Sequence, residues 1–234
     1  MPRMLYELQG VNDIRPSPYC WRTRMALAHK GLAAEFVPVQ FGEKDEIASS
    51  GQNKVPVLDD DGRVIHDSWA IACYLEQAYP GRLSLFGSEA ARAGARFINS
   101  WDDSIIHTGM LRLVMLDIFE KGVTPSGKDY FRTSREKRLG MSLEEFSDTS
   151  ECRLKAFRRK FEPVRLALDE SPYLAGESPL YGDYALFGTC KFLELCSSLV
   201  IFPEDDPISK WYERMLDLFD GYARTDGGAG GGGG

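Results

Sequence analysis

Histidine and cysteine are scarce in this chain. Its three histidines, at positions 29, 66 and 107, are far apart and match no metal-ligand spacing, so no protein metal site is expected. The five cysteines (Cys20, Cys73, Cys152, Cys190 and Cys196) are odd in number and contain no Cys-X-X-Cys pair. A disulfide framework is therefore set aside, and reduced thiols in a cytoplasmic protein are expected. No apolar run is long enough to span a bilayer, and the opening "MPRMLYELQ" lacks the apolar stretch of a secretory leader. Positive charge is in deficit too: 28 Lys and Arg stand against 35 Asp and Glu, a formal net charge of −7. Nucleic acid, whose phosphates require a basic surface, is an unsuitable partner.

The chain does have core material. With 234 residues, 43% of them hydrophobic, it can build one large domain or two small ones. "MLYEL" reads as a short strand, and Ser17-Pro18 opens a helix that Gly31 stops. "AEFVPVQF" is a second strand, placed at or near an edge by Pro38. "VPVL" and "RVIH", joined by "DDDG", form a hairpin. Asp67-Ser68 then caps a helix, "WAIACYLEQAY", that Pro80-Gly81 ends. After Phe86 the pattern is helical. Residues 89–121 predict one long helix with a kink near Gly109. Further helices are predicted over 134–146, 151–170, 182–199 and 206–223, the third of them apolar and central. The order predicts an α/β thioredoxin-like N-terminal domain at 1–80, a linker at 81–87, an all-α domain at 88–222 and a flexible Gly-rich tail at 223–234.

One stretch poses a chemical question. "SPYC", residues 17–20, has the form of a Cys-Pro-Tyr-Cys redox turn whose first cysteine is replaced by Ser17. Locally, Ser17 is either a plain helix cap or a hydroxyl donor at a helix N-terminus, where unpaired N–H groups favour an anion. No histidine near it in sequence can act as its base, so Ser17 is not read as a nucleophile. Cys20, inside the first helical turn, is either a low-pKa thiol or a buried packing residue. Tyr19 and Tyr6 are rival hydroxyl donors. Asp67-Ser68 is likewise either a cap or a paired acceptor and donor.

Three segments in order, "SPYCWRTRMAL", "NKVPVLDDDGRVIHDSWAIACYLEQAYP" and "LYGDYALFG", resemble the cytosolic glutathione transferases of the serine/cysteine type. "SPYCWRT", "DYFRTSRE" and "DDPISKWYERMLDLFDG" are further similar to the bacterial β-aryl etherase and related fungal ether-degrading branch. One departure is Leu180, where the family has Ser or Thr three residues before the buried Asp183; the reciprocal capping box is then absent. The resemblance implies glutathione as co-substrate. Ser17 would stabilise its thiolate, and Val55 would pair with its cysteinyl part beside a cis Pro56. Asp67 and Ser68 would hold the γ-glutamyl end, and Lys54, with Gln52 as an alternative, would reach the glycyl carboxylate. An electrophile pocket between the domains would draw on Ile14, Trp101, Ile105, Ile106, Met110 and Tyr130. It also implies a homodimer formed by "VIHDSWAIACYL" and the helix after residue 88, with a hydrophobic small molecule as second substrate. Three functional classes follow: a transferase acting on aromatic electrophiles, with β-aryl ether cleavage or double-bond isomerisation as variants; a non-catalytic binder of glutathione and hydrophobic ligands; and a disulfide reductase, which Ser17 disfavours.

Overall fold

A computed structural model describes residues 2–43, 45–225 and 227. Among these, β1 (Met4–Gln9), β2 (Glu35–Gln40), β3 (Val57–Asp60) and β4 (Arg63–His66) form one sheet in the order β2-β1-β3-β4. β1 and β2 are parallel, with α1 (Pro18–His29) as the crossover; β3 and β4 are the hairpin. Pro38 lies exposed on the edge strand β2, where its missing N–H removes nothing from the ladder. Alternation along β1 sends Leu5 and Glu7, both fully buried, toward α1. Tyr6 goes to the other face, against a small cluster of Val39, Ile47 and Val57. α2 (Ser68–Ala78) packs on α1 and closes the domain.

The second domain is helical. Residues 89–122 run as α3 (Glu89–Trp101), a π-helical turn Asp102–His107, α4 (Thr108–Asp117) and a second π-helical turn Ile118–Gly122. The irregularity lies in these wide turns and not at Gly109, where a kink was expected. A Cβ on Gly109 would sit 2.7 Å from Lys160 Nζ and 3.1 Å from the Phe157 ring, so this glycine lets a neighbouring helix approach. α5 (Lys128–Leu139) starts earlier than its sequence pattern predicts, and Gly140 in the left-handed conformation ends it. α6 (Leu143–Phe146) carries a reciprocal Ser142–Glu145 cap. The single helix expected over 151–170 is two, α7 (Glu151–Arg159) and α8 (Glu162–Glu170), with Pro163 in the first turn of the latter. α9 (Tyr181–Cys196) is buried almost throughout its first nine residues, and α10 (Pro207–Gly221) packs on α8 and α9.

α1 has no exposed stripe because it is packed on two sides, by its own sheet and by α9 of the second domain. The α1–α9 approach is permitted by Gly188: a Cβ there would meet the Pro18 carbonyl oxygen at 2.3 Å. That contact fixes the start of α1, the segment that carries Ser17. Asp183 caps α9 without a Ser or Thr partner. Its carboxylate accepts from Leu180 N–H at 3.2 Å, Leu174 N–H at 2.8 Å and Trp211 Nε1 at 3.0 Å.

The tail expected at 223–234 lies outside the described residues at 226 and 228–234. Its first part is packed: Ala223 is fully buried, and the Gly227 carbonyl accepts from Arg24 Nη2 at 2.7 Å. None of the helices among the described residues is long and apolar enough to cross a membrane.

Candidate functional site

Ser17 is the N-cap of α1. Its backbone is extended, Pro18 follows in the first turn, and its Oγ accepts the Cys20 N–H at 3.3 Å. A serine hydroxyl that accepts one hydrogen bond still has its O–H to donate. Capping and donation to an anion are therefore compatible at this one atom. Cys20 is fully buried, and burial, aided by the Glu7 charge, pushes its thiol up to about 12. It is a packing residue and not a thiolate at neutral pH.

A second helix N-terminus opens nearby. Asp67 accepts from Trp69 N–H and Ala70 N–H, both at 3.0 Å, and Ser68 is nearly fully buried with its hydroxyl beside that of Tyr181. Asp67 itself has φ +71° and ψ +125°, a conformation that costs a non-glycine residue on the order of 1–3 kcal/mol. Its two cap hydrogen bonds hold it there, in a conformation that a Gly would adopt freely. Between the two helices the Val55–Pro56 peptide is cis, and the β3 ladder begins only at Val57. Val55 thus stands at the open end of β3 with its backbone outside the sheet pairing. The Asp67 charge acts on Tyr19, two residues after Ser17.

Beneath this region lies an ionic network in which Arg22 is the ion-pair position the sequence suggests, with partners the sequence does not name. Arg22, one turn beyond Ser17 on α1, is fully buried. Its Nη2 meets Asp102 Oδ2 at 2.5 Å and Asp103 Oδ1 at 2.9 Å, and its Nε donates to the Ala185 carbonyl at 3.0 Å. Burial alone would weaken the guanidinium's hold on its proton, but Asp102 and Asp103 together keep it above its ordinary range. Asp102 also accepts from the Thr189 hydroxyl at 2.7 Å. The network ties α1 of the first domain to α3, the π-helical turn and α9 of the second. A parallel network joins Glu7 to Arg24 (2.5 Å) and Arg15 (3.4 Å), beside the loop that leads to Ser17.

The remaining candidates fall in different places. Lys54 is exposed at the mouth of the Val55 segment. Gln52 is committed to the Lys54 backbone, accepting its N–H at 2.7 Å and donating to its carbonyl, so it does not reach out to a ligand. Tyr6 points to the sheet face away from α1 and is no donor to the Ser17 region. Met110 and Ile106 are core residues, each at most 1% exposed, and Trp101 packs edge-on against Phe161 inside the helical domain. Ile105 is exposed at the surface with its carbonyl accepting from Lys160. Ile14 is half-buried, and Tyr130 is exposed beside Gly42. The apolar stripe at helical spacing is thus core more than pocket. The ring that does lie beside Tyr19 is His107, at 5.7 Å between centroids.

The model of the glutathione S-transferase N-terminal domain matches residues 13–83, and that of the glutathione S-transferase C-terminal domain matches residues 93–205. Together they span most of the chain, which belongs to the glutathione transferase superfamily. A probable glutathione S-transferase GSTU1 of Oryza sativa subsp. indica is 34% identical over 104 residues, 40% of this chain and 44% of that protein. The match therefore spans less than half the length of that rice relative. Glutathione S-transferase U28 of Arabidopsis thaliana is 25% identical over 214 residues, 88% of this chain and 84% of its own. Among solved structures, a glutathione S-transferase of Ceriporiopsis subvermispora in complex with glutathione superimposes with a TM-score of 0.81 at 22% identity, covering 94% of this chain and 97% of that one. The glutathione transferase GSTFuA3 of Phanerochaete chrysosporium gives 0.75 at 24% identity, with 94% and 92% covered. At these identities the likeness is one of fold.

Proposed function

We propose that this protein is a cytoplasmic glutathione-dependent transferase acting on hydrophobic, aromatic electrophiles. One observation carries the reading: two capped helix N-termini, at Ser17 and at Asp67-Ser68, flank a strand end whose Val55 backbone is outside the sheet. A tripeptide with a thiol at its centre and a zwitterionic end fits that arrangement. Val55 offers N–H and C=O to the cysteinyl residue as an added strand would. Asp67 takes the α-ammonium, the Ser68 region takes the α-carboxylate, and Lys54 takes the glycyl carboxylate. The sulfur then lies at the start of α1. A cysteine thiol has a pKa of roughly 8.5, and the helix terminus with the Ser17 O–H favours its anion. The thiolate forms an S–C bond at an electrophilic carbon, and the leaving group departs with the electrons of the bond it gave up.

The narrower reading is cleavage of β-aryl ethers, in which a C–O bond breaks and a phenolate leaves. Its support is the similarity of "SPYCWRT", "DYFRTSRE" and "DDPISKWYERMLDLFDG" to that branch. Turnover of a chloronitrobenzene, a β-aryl ether and a glutathione mixed disulfide, assayed side by side, separates the possibilities. Ether cleavage with free phenol released is the expected result. Glutathione binding without turnover of any of them would leave a binding protein.

Asp67→Ala is expected to weaken glutathione binding by about 1.5–3 kcal/mol, the value of a charge-assisted hydrogen bond. Isothermal calorimetry reads this directly, and an unchanged affinity would remove the γ-glutamyl group from this position.

We further propose a homodimer through α2 and α3. Phe97 on α3 is 72% exposed, next to an Arg96 guanidinium that stacks on Trp69 of α2. Sedimentation at micromolar concentration should give twice 26.2 kDa, and Phe97→Glu should halve it. A monomeric wild type would end this proposal.

A further inference from the structure

A cavity of about 710 Å³ opens in the helical domain between the C-terminal half of α9 and the first turns of α10, with the loop 197–202 as its third wall. That volume is in the range of pockets that take drug-sized molecules. None of Ser17, Val55, Asp67 and Ser68 lines it, so its occupancy does not depend on the glutathione reading. Its walls are apolar: Leu193, Leu199, Phe202 and Ile208, with Val200, 72% exposed, at the rim. They are also fixed. Ser197 Oγ donates to Asp117, Leu199 N–H donates to Ser197 Oγ at 3.1 Å, and the Ile201 carbonyl accepts from Arg158. Phe202 stands edge-on against Phe161 at 4.8 Å.

The polar groups of the lining select the sign of what enters. Tyr212 donates its hydroxyl to Glu194 and lays one ring face on Phe187 at 5.4 Å, so the ring turns its other face and its edge toward the cavity. A tyrosine face attracts a cation. Glu194, Glu204 and Glu213 line the cavity against one cation, Lys210, which is exposed on a flexible stem. Glu194 is matched by the buried Lys191 at 3.0 Å and Glu213 by Arg224 at 3.1 Å; Glu204 has no partner among the described residues. The C-terminal end of α9, beside Ser197 and Ser198 of the lining, adds the negative end of a helix dipole with no basic residue in its last turn. Lys121 reaches Ser198 Oγ at 3.5 Å but is paired with Asp117. We propose that this cavity is a second ligand site, for a lipophilic cation: an ammonium or phosphonium carried on an aromatic or alkyl body. The body fills the apolar walls, and the charge lies between the Tyr212 ring and the Glu204 rim. An organic anion of the same shape meets the carboxylates and the helix end with the wrong sign.

The test titrates tetraphenylphosphonium and its isostere tetraphenylborate, by isothermal calorimetry, into wild type, Glu204→Lys, Tyr212→Phe and Tyr212→Leu. Each protein is first saturated with S-hexylglutathione, chosen to fill the cleft beside Ser17. We expect the phosphonium to bind at a single site, at least about tenfold tighter than the borate. Glu204→Lys, at an exposed position without a partner, should weaken the phosphonium about three- to tenfold and tighten the borate. Tyr212→Phe keeps the ring and should stay within about twofold, whereas Tyr212→Leu should lose about fivefold. No binding of the phosphonium, a borate bound as tightly, or indifference of both ions to Glu204→Lys and Tyr212→Leu would overturn the assignment. Displacement of the phosphonium by S-hexylglutathione would overturn it too, by placing the cation in the cleft. A protein that fails to bind S-hexylglutathione counts against the glutathione reading alone, and the phosphonium titrations are read as before.

Discussion

Asp102→Ala is expected to destabilise the protein by about 3–5 kcal/mol, the cost of leaving a buried charge without its partner. Arg22 has no route to water: its side chain is 1% exposed, that of Asp102 is 0%, and their contact is 2.5 Å. Removing the carboxylate also strands the Thr189 hydroxyl, which donates to the same oxygen. Asp103 remains at 2.9 Å from Arg22 but is 37% exposed, so solvent screening makes it a weaker counter-charge. Asp102→Asn, which keeps an acceptor for Arg22, should cost less. Urea unfolding followed by circular dichroism gives the difference. A loss of less than about 1 kcal/mol would mean that Asp103 alone neutralises Arg22. The network joins α1 to the helical domain, so the loosened protein should also lose turnover more than glutathione affinity, because Ser17 sits on the helix that Arg22 anchors.

Ser17→Ala is expected to lower turnover by about 10- to 150-fold while changing glutathione affinity by less than about threefold. The split follows from where the contacts are. In the proposed binding mode affinity comes mainly from the Val55, Asp67 and Ser68 groups, whereas the Ser17 hydroxyl would touch only the sulfur. The hydrogen bond that Ser17 accepts from Cys20 N–H is also lost, which removes a helix cap and costs about 1 kcal/mol of stability. That loss is read separately, as a shift in thermal midpoint. A variant whose affinity fell together with its turnover would place Ser17 in binding instead.

What the sequence makes legible is chemistry that acts over short range. Both helix starts, Ser17-Pro18 and Asp67-Ser68, are written in adjacent residues, because a cap is satisfied within three positions of itself. The β3–β4 hairpin is written in "DDDG", and the edge position of β2 in Pro38. Arg22 reads in the sequence as an ion-pair position, but its partner is not legible, since Asp102 lies 80 residues away. Glu7 and Arg24 are hidden in the same way. Gly109 and Gly188 look alike in sequence as helix-interior glycines; only the third dimension shows that each admits a neighbour's backbone or side chain. The family resemblance points to Trp101 and Met110 for the pocket, whereas helical spacing describes a face without saying what covers it.

The central claim is that Ser17 holds the sulfur of glutathione as a thiolate by donating its hydroxyl proton to it. Ultraviolet titration of the bound thiolate measures that claim without reference to any electrophile. Saturated with glutathione, the wild type should show a thiol titrating near neutrality, and Ser17→Ala should titrate about one to two units higher, the equivalent of a hydrogen bond worth 1.5–3 kcal/mol. Superimposable curves for the two proteins would contradict the account, returning Ser17 to a helix cap and leaving the thiolate to the N–H groups at the start of α1.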